Sequence, residues 1–140
     1  MTISSDLTDR ECAIRAAALI DTDGSISITK SKGEYTLRCT LTNTDIRLVE
    51  WMKAHYHGSI QIHHPNCKDG YNRKPIYQWS VASDKATQFL HHVYHFLIIK
   101  QQQALVGAAF RMKHGRGIIK DRDALEKQEH YYQRMKELNK

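Results

Sequence analysis

The first pattern in the chain is Thr8-Asp9-Arg10-Glu11, a hydroxyl followed three positions later by a glutamate. That spacing predicts a capping box, with Thr8 as N-cap and Glu11 reaching back. Ala13, Ala16, Ala17 and Ile20 then recur at helical spacing, so a first helix is expected from Cys12 to Ile20. Its apolar stripe carries little bulk and admits a very close neighbour. Asp21-Thr22-Asp23-Gly24 ends the helix, with Gly24 expected to take the positive φ of a C-cap. From Ser25 to Lys30 the pattern alternates, with Ile26 and Ile28 on one face. After the turn Ser31-Lys32-Gly33-Glu34 it alternates again: Tyr35, Leu37, Cys39 and Leu41 face one way, and Thr36, Arg38, Thr40 and Thr42 the other. Together these segments predict a hairpin with one apolar and one polar face.

The unit then repeats. Asn43 or Thr44 is expected to cap a second helix over Asp45 to His57, with bulk from Ile46, Val49, Trp51 and Met52. Gly58 breaks it, and Ser59, Gln61 and His63 alternate with Ile60 and Ile62. A loop from His64 to Pro75 leads to a fourth strand, Ile76 to Ala82, with Tyr77, Trp79 and Val81 opposite Gln78 and Ser80. Ser83 or Asp84 caps a third helix reaching His95, and a further helix spans Lys100 to Lys113. After Gly115-Arg116-Gly117 a charged helix covers Asp121 to Lys140. The order predicts an α+β fold: an antiparallel, twisted, four-stranded sheet with helices on its apolar face and a C-terminal helix. Residues 1–114 are read as one domain and residues 115–140 as its helical extension. No helix is left over for the polar sheet face.

Composition narrows what that face meets. The 140 residues are 41% hydrophobic and 26% charged, which excludes a disordered chain. No apolar run approaches the ~18 residues of a membrane span. The polar stretch Met1 to Arg10 has no signal-peptide character, so an intracellular protein is expected, in the cytoplasm or an organelle. Three cysteines, Cys12, Cys39 and Cys67, argue against a disulfide framework. The densest His and Cys clusters, His63-His64-x-x-Cys67 and His91-His92-x-x-His95, lack the paired couples of a structural zinc site. Lys and Arg number 21 against 15 Asp and Glu, for a net charge of +6. A basic chain with a bare sheet of hydrogen-bonding side chains suits a nucleic acid, because a two-stranded ribbon fits the DNA major groove.

One stretch sharpens this. Ala16-Ala17-Ala18-Leu19-Ile20-Asp21-Thr22-Asp23-Gly24, followed by Ser25-Ile26, resembles the LAGLIDADG motif of the homing endonucleases. The match is specific in its second half; Ala16 stands where the family has Leu and Ala18 where it has Gly. Thr42-Asn43-Thr44-Asp45, Tyr77-x-Trp79-x-Val81 and Phe96-Leu97-Ile98-Ile99-Lys100-Gln101 extend the likeness over residues 8–112. It implies a saddle-shaped αββαββα fold and a sequence-specific double-strand DNA endonuclease. The physics of the motif agrees. Two acidic helix tips meeting at a tight contact repel unless a divalent cation lies between or beside them.

By this resemblance Asp23 and the backbone carbonyl of Thr22 hold Mg²⁺, with Ca²⁺ or Mn²⁺ as substitutes, while Asp21 orients the helix end. Lys100 falls where the family places a basic active-site residue. Asn43 and Arg47 align with a polar and a basic residue that organise water and phosphate. One motif supplies half a site, so a homodimer is implied, with Ala13, Ala16, Ala17 and Ile20 at the contact and a near-palindromic target. Ser27, Thr29, Arg38, Thr40, Gln61, His63, Gln78 and Ser80 are the candidate base readers. Lys30, Lys32, Lys68, Arg73 and Lys74, at strand ends and loops, are candidate phosphate contacts. No organic cofactor and no membrane partner are expected. The alternative is a non-cleaving protein on the same fold that binds DNA or intron RNA, as a regulator or maturase.

Overall fold

A computed structural model describes residues 7–65, 73–111 and 122–140. Helix α1 (Asp9–Asp23) starts at Thr8 with both halves of the capping box formed: Thr8 Oγ1 accepts from the Glu11 amide, and Glu11 accepts from the Thr8 amide, each at 3.1 Å. The chain passes directly into β1 (Gly24–Ser31), turns, and returns as β2 (Glu34–Asn43). Lys32 and Gly33 both take left-handed backbone, φ 51 and 77. Such turns match the twist of the strands they join. Next come α2 (Ile46–Tyr56), β3 (Ser59–His63), β4 (Ile76–Ala82) and α3 (Ser83–Val93). A single 3₁₀ turn, Tyr94–Phe96, leads to α4 (Gln101–Arg111), and α5 (Arg122–Leu138) completes the chain.

The sheet order is β1-β2-β4-β3, with every neighbour antiparallel. The central strands β2 and β4 bury Leu37, Cys39, Leu41, Trp79 and Val81 beneath the helices. Helices α1 and α3 pack on β2, α2 on β4, and α4 and α5 on β1. Trp79 is fully buried, and its indole N–H donates to the His57 carbonyl at 2.7 Å, so its one polar atom is satisfied. Gly58 accompanies it: φ is +87, and a Cβ there would lie 2.5 Å from the Ser80 carbonyl. On α5, Gln128 and Met135 are buried, and Asn139, just past the helix, donates to the Ile26 carbonyl of β1 at 2.9 Å. No described helix is long and apolar enough to cross a membrane. Cys12 and Cys39 are buried free thiols, and burial pushes the Cys39 thiol well up.

Four sequence expectations are corrected. Gly24 has extended backbone, φ −104 and ψ 177, not a positive φ. Glycine stands there because a Cβ would lie 2.7 Å from the Ile20 Cα and 2.8 Å from the Thr40 carbonyl. The cap of α2 is Asp45, neither Asn43 nor Thr44, and Asp45 accepts from the Arg47 amide at 3.0 Å. Helix α3 starts after Ala82 with no side-chain cap. Finally, Ala13, Ala16, Ala17 and Ile20 are at most 1% exposed within a single chain. The slim stripe serves the close approach of α1 to its own sheet and to α3, so these four side chains are core, not a surface for a second copy.

Candidate active site and nucleic-acid interface

Successive residues of a helix point about 100° apart, so the acidic end of α1 sends its two carboxylates to different places. Asp21 turns inward and is 8% exposed. Its carboxylate accepts three backbone amides: Ile98 at 2.7 Å, Ile99 at 3.1 Å and Lys100 at 3.0 Å. These lie in the segment entering α4. The Lys100 ammonium then donates to the Asp21 carbonyl at 2.9 Å. Asp21 therefore fixes both the backbone and the side chain of Lys100 against the end of α1.

Asp23 turns outward and is exposed. Its Oδ2 accepts from Asn43 Nδ2 at 3.0 Å, and Asn43 Oδ1 accepts from the Asp45 amide at 2.8 Å. Because Asp45 takes over the capping of α2, the Asn43 side chain is available to reach Asp23. The Asp45 carboxylate also grips its neighbour: Arg47 Nε donates to both oxygens at 3.0 and 3.2 Å, and Arg47 Nη2 to Oδ2 at 2.6 Å. Arg47 thus holds the Asp45 carboxyl well below the usual carboxylate range, at about 2. Arg47 does not reach Asp23 directly; it joins the site through Asp45 and Asn43. The Thr22 hydroxyl is turned back on its helix, donating to the Ala18 carbonyl at 3.0 Å, which leaves its backbone carbonyl as the ligand group of interest.

A divalent cation fits this end of α1 in its donor chemistry. Asp23 is a hard oxygen donor, and its Oδ1 carries no hydrogen bond among the described residues. The last carbonyls of a helix lack intrahelical partners and carry the negative end of its dipole. Among the described residues no group of three or more His, Cys, Asp or Glu side chains is arranged to hold a metal.

The strand register lays the outward side chains out in rows. Thr29 faces Thr36; Ser27 faces Arg38 and then Ala82; Ser25, Thr40, Ser80 and Ser59 form one row; Thr42, Gln78 and Gln61 form the next; and His63 pairs with Ile76. All eight candidate readers fall on this one face. Within it His63 Nε2 and Gln78 Oε1 lie 3.2 Å apart, and Ser59 and Ser80 join at 3.4 Å. Thr40 is a correction: it is 9% exposed and bonded to Ser25 at 2.6 Å, so it is closed to a base edge, and Ser25 is exposed in its place. Ser25, Thr36, Thr42 and Ser59 join the face; their alternation was the signal for including them.

Lys30 is the second correction. It has the parity of Ile26 and Ile28 and sits on the helix side, paired with Glu129 at 3.3 Å and near the Tyr35 and Tyr132 rings. Lys32, Arg73 and Lys74 are exposed, and Lys68 lies outside the described residues. On α1 the outer surface presents Ile14, 44% exposed, and exposed Ala18; Ile98 and Ile99, beside the acidic end, are 87% and 68% exposed.

No known family profile and no curated protein matches the sequence. Solved structures do. The chain resembles the archaeal intron-encoded homing endonuclease I-Vdi141I in complex with DNA, with a TM-score of 0.75 and 16% identity over 95% of this chain and 87% of that one. It resembles equally the homing endonuclease I-CvuI bound to an I-CreI target in the presence of Mg, with a TM-score of 0.74 and 16% identity over 93% and 83%. The LAGLIDADG meganuclease I-AabMI bound to uncleaved DNA matches with a TM-score of 0.66 and 16% identity over 86% of this chain and 43% of the other. With its αββαββα order, its open antiparallel sheet and an acidic helix end running straight into the first strand, this chain has the fold of the LAGLIDADG homing endonucleases.

Proposed function

We propose that the chain is a sequence-specific double-strand DNA endonuclease that works as a homodimer by divalent-metal-dependent phosphodiester hydrolysis. The observation that carries this reading is the α1 terminus. It has an exposed carboxylate steadied by an amide, a lysine clamped to the Asp21 carbonyl of the same helix end, and a hydrogen-bonding sheet face that starts from the same turn of chain. The similar I-CvuI complexes with DNA were obtained in the presence of Mg, with the DNA not cleaved, and in the presence of Ca, which supports a divalent cation here.

Asp23 and the Thr22 carbonyl would hold the cation, and Mg²⁺ bound there would activate water and steady the leaving oxygen. The chain's own groups do the rest. Asn43 orients the Asp23 carboxylate. Lys100 presents a fixed ammonium that offsets charge developing on the phosphate. Arg47, with Lys32, Arg73 and Lys74, meets phosphates, while Ser25, Ser27, Thr29, Arg38, Gln61, His63, Gln78 and Ser80 meet base edges. A second copy of the chain would bring a second Asp23 to the site, and such a symmetric pair reads a near-palindromic target. Ile14, Ala18, Ile98 and Ile99 are the surface proposed for that contact.

The test is selection from a randomised duplex library in Mg²⁺. Both strands are expected to be cut at sites converging on a near-palindromic consensus, with Ca²⁺ permitting binding. Binding with no cut at any metal concentration would favour the non-cleaving regulator or maturase. For the dimer, Ala18→Arg is expected to yield a folded monomer in sedimentation, with cleavage lost. An unchanged dimer would move the contact elsewhere.

A further inference from the structure

The Asp45–Arg47 pair does more than a helix cap requires. Capping α2 needs one oxygen to accept the Arg47 amide, which Asn or Ser supplies as well as Asp. Asp45 instead presents two oxygens to a guanidinium fork, through three further hydrogen bonds of 2.6 to 3.2 Å. A phosphate offers that fork the same two-oxygen edge. Lys74, another proposed phosphate contact, adds to the positive surroundings of this carboxylate. The pair is solvent-facing, with the Arg47 side chain 86% and the Asp45 side chain 40% exposed, so water screens it and it opens at little cost.

We infer that Asp45 is an internal stand-in for DNA phosphate, occupying Arg47 in the free protein and yielding it to the duplex. The inference rests on the proposed DNA-binding function. Its consequence is lower affinity for arbitrary DNA: an Arg already engaged by a carboxylate must be released before it contributes, so only a well-seated duplex recruits it.

The experiment uses the full chain and a mixed-sequence 24-base-pair duplex without Mg²⁺, with affinity measured across a salt series. Asp45→Asn and Asp45→Ser both keep a capping side chain. Both are expected to bind at least about threefold more tightly at low salt, with the log–log salt slope steeper by about 0.9, the increment for one added phosphate contact. Glu34→Gln removes one exposed carboxylate at the start of β2 and is expected to leave the slope unchanged. In an Arg47→Gln background, Asp45→Asn is expected to add no slope. A wild-type slope in both Asp45 variants, or the same steepening without Arg47, overturns the inference while duplex binding itself still stands. Absence of duplex binding by every form, wild type included, overturns the proposed function and this inference with it.

Discussion

Asp23→Asn is expected to abolish DNA cleavage while duplex binding is kept or tightened. The amide has the shape of the carboxylate and still meets Asn43, which replaces a hydrogen bond now made to Oδ2 at 3.0 Å. What disappears is the exposed carboxylate at the end of α1 that is proposed to hold the cation. Stabilisation by a metal is worth several kcal/mol, so single-turnover cleavage in Mg²⁺ is expected to fall by on the order of 10³-fold or more. Binding measured in Ca²⁺ should not fall, because a negative charge near the phosphates has been removed. Cleavage at the wild-type rate would mean that Asp23 is not the group that holds the cation.

The second large effect concerns Asp21, which does no chemistry itself. Its carboxylate satisfies three amides while 8% exposed. Asp21→Ala strands those amides, and hydrogen bonds to a charged acceptor contribute about 1.5–3 kcal/mol each, not additively. A loss of about 3–5 kcal/mol of stability is expected, seen as a fall of on the order of 10 °C in the thermal midpoint by circular dichroism. Asp21→Asn, with one acceptor oxygen instead of two, should fall between wild type and alanine. In both variants the segment carrying Lys100 is held less firmly, so cleavage should fall even below the new melting transition. A midpoint within about a degree of wild type would show that water replaces the carboxylate at little cost.

Much of the architecture was legible because local pattern and tertiary need agree. The Thr8–Glu11 box, the alternation of Ile26 and Ile28 against Leu37, Cys39 and Leu41, and the 3.6-residue stripe of α1 all formed as read. What escaped was what depends on partners distant in sequence. Periodicity says which residues share a face, not which neighbour covers it, so Ala13, Ala16, Ala17 and Ile20 suited an outside helix as well as the chain's own sheet. Gly24 was rightly a required glycine for the wrong reason, since the Thr40 carbonyl that crowds it is 16 positions away. The clamp on Lys100 joins residues 77 to 79 positions apart, and no spacing rule links Asp21 to the amides of Ile98 through Lys100. Lys30 was misjudged by its type: its parity with Ile28 already assigned it to the helix side, where Glu129 meets it.

The outward rows of the sheet are built largely from short hydroxyl side chains, Ser25, Ser27, Thr29, Thr36 and Ser59 among them, while the core lies entirely behind the strands. Surface substitutions away from the core usually change stability little. On the proposed function, target preference is decoupled from the ability to fold, so an evolving lineage, or a library of variants, can change the preferred sequence one row at a time without first acquiring a more robust scaffold.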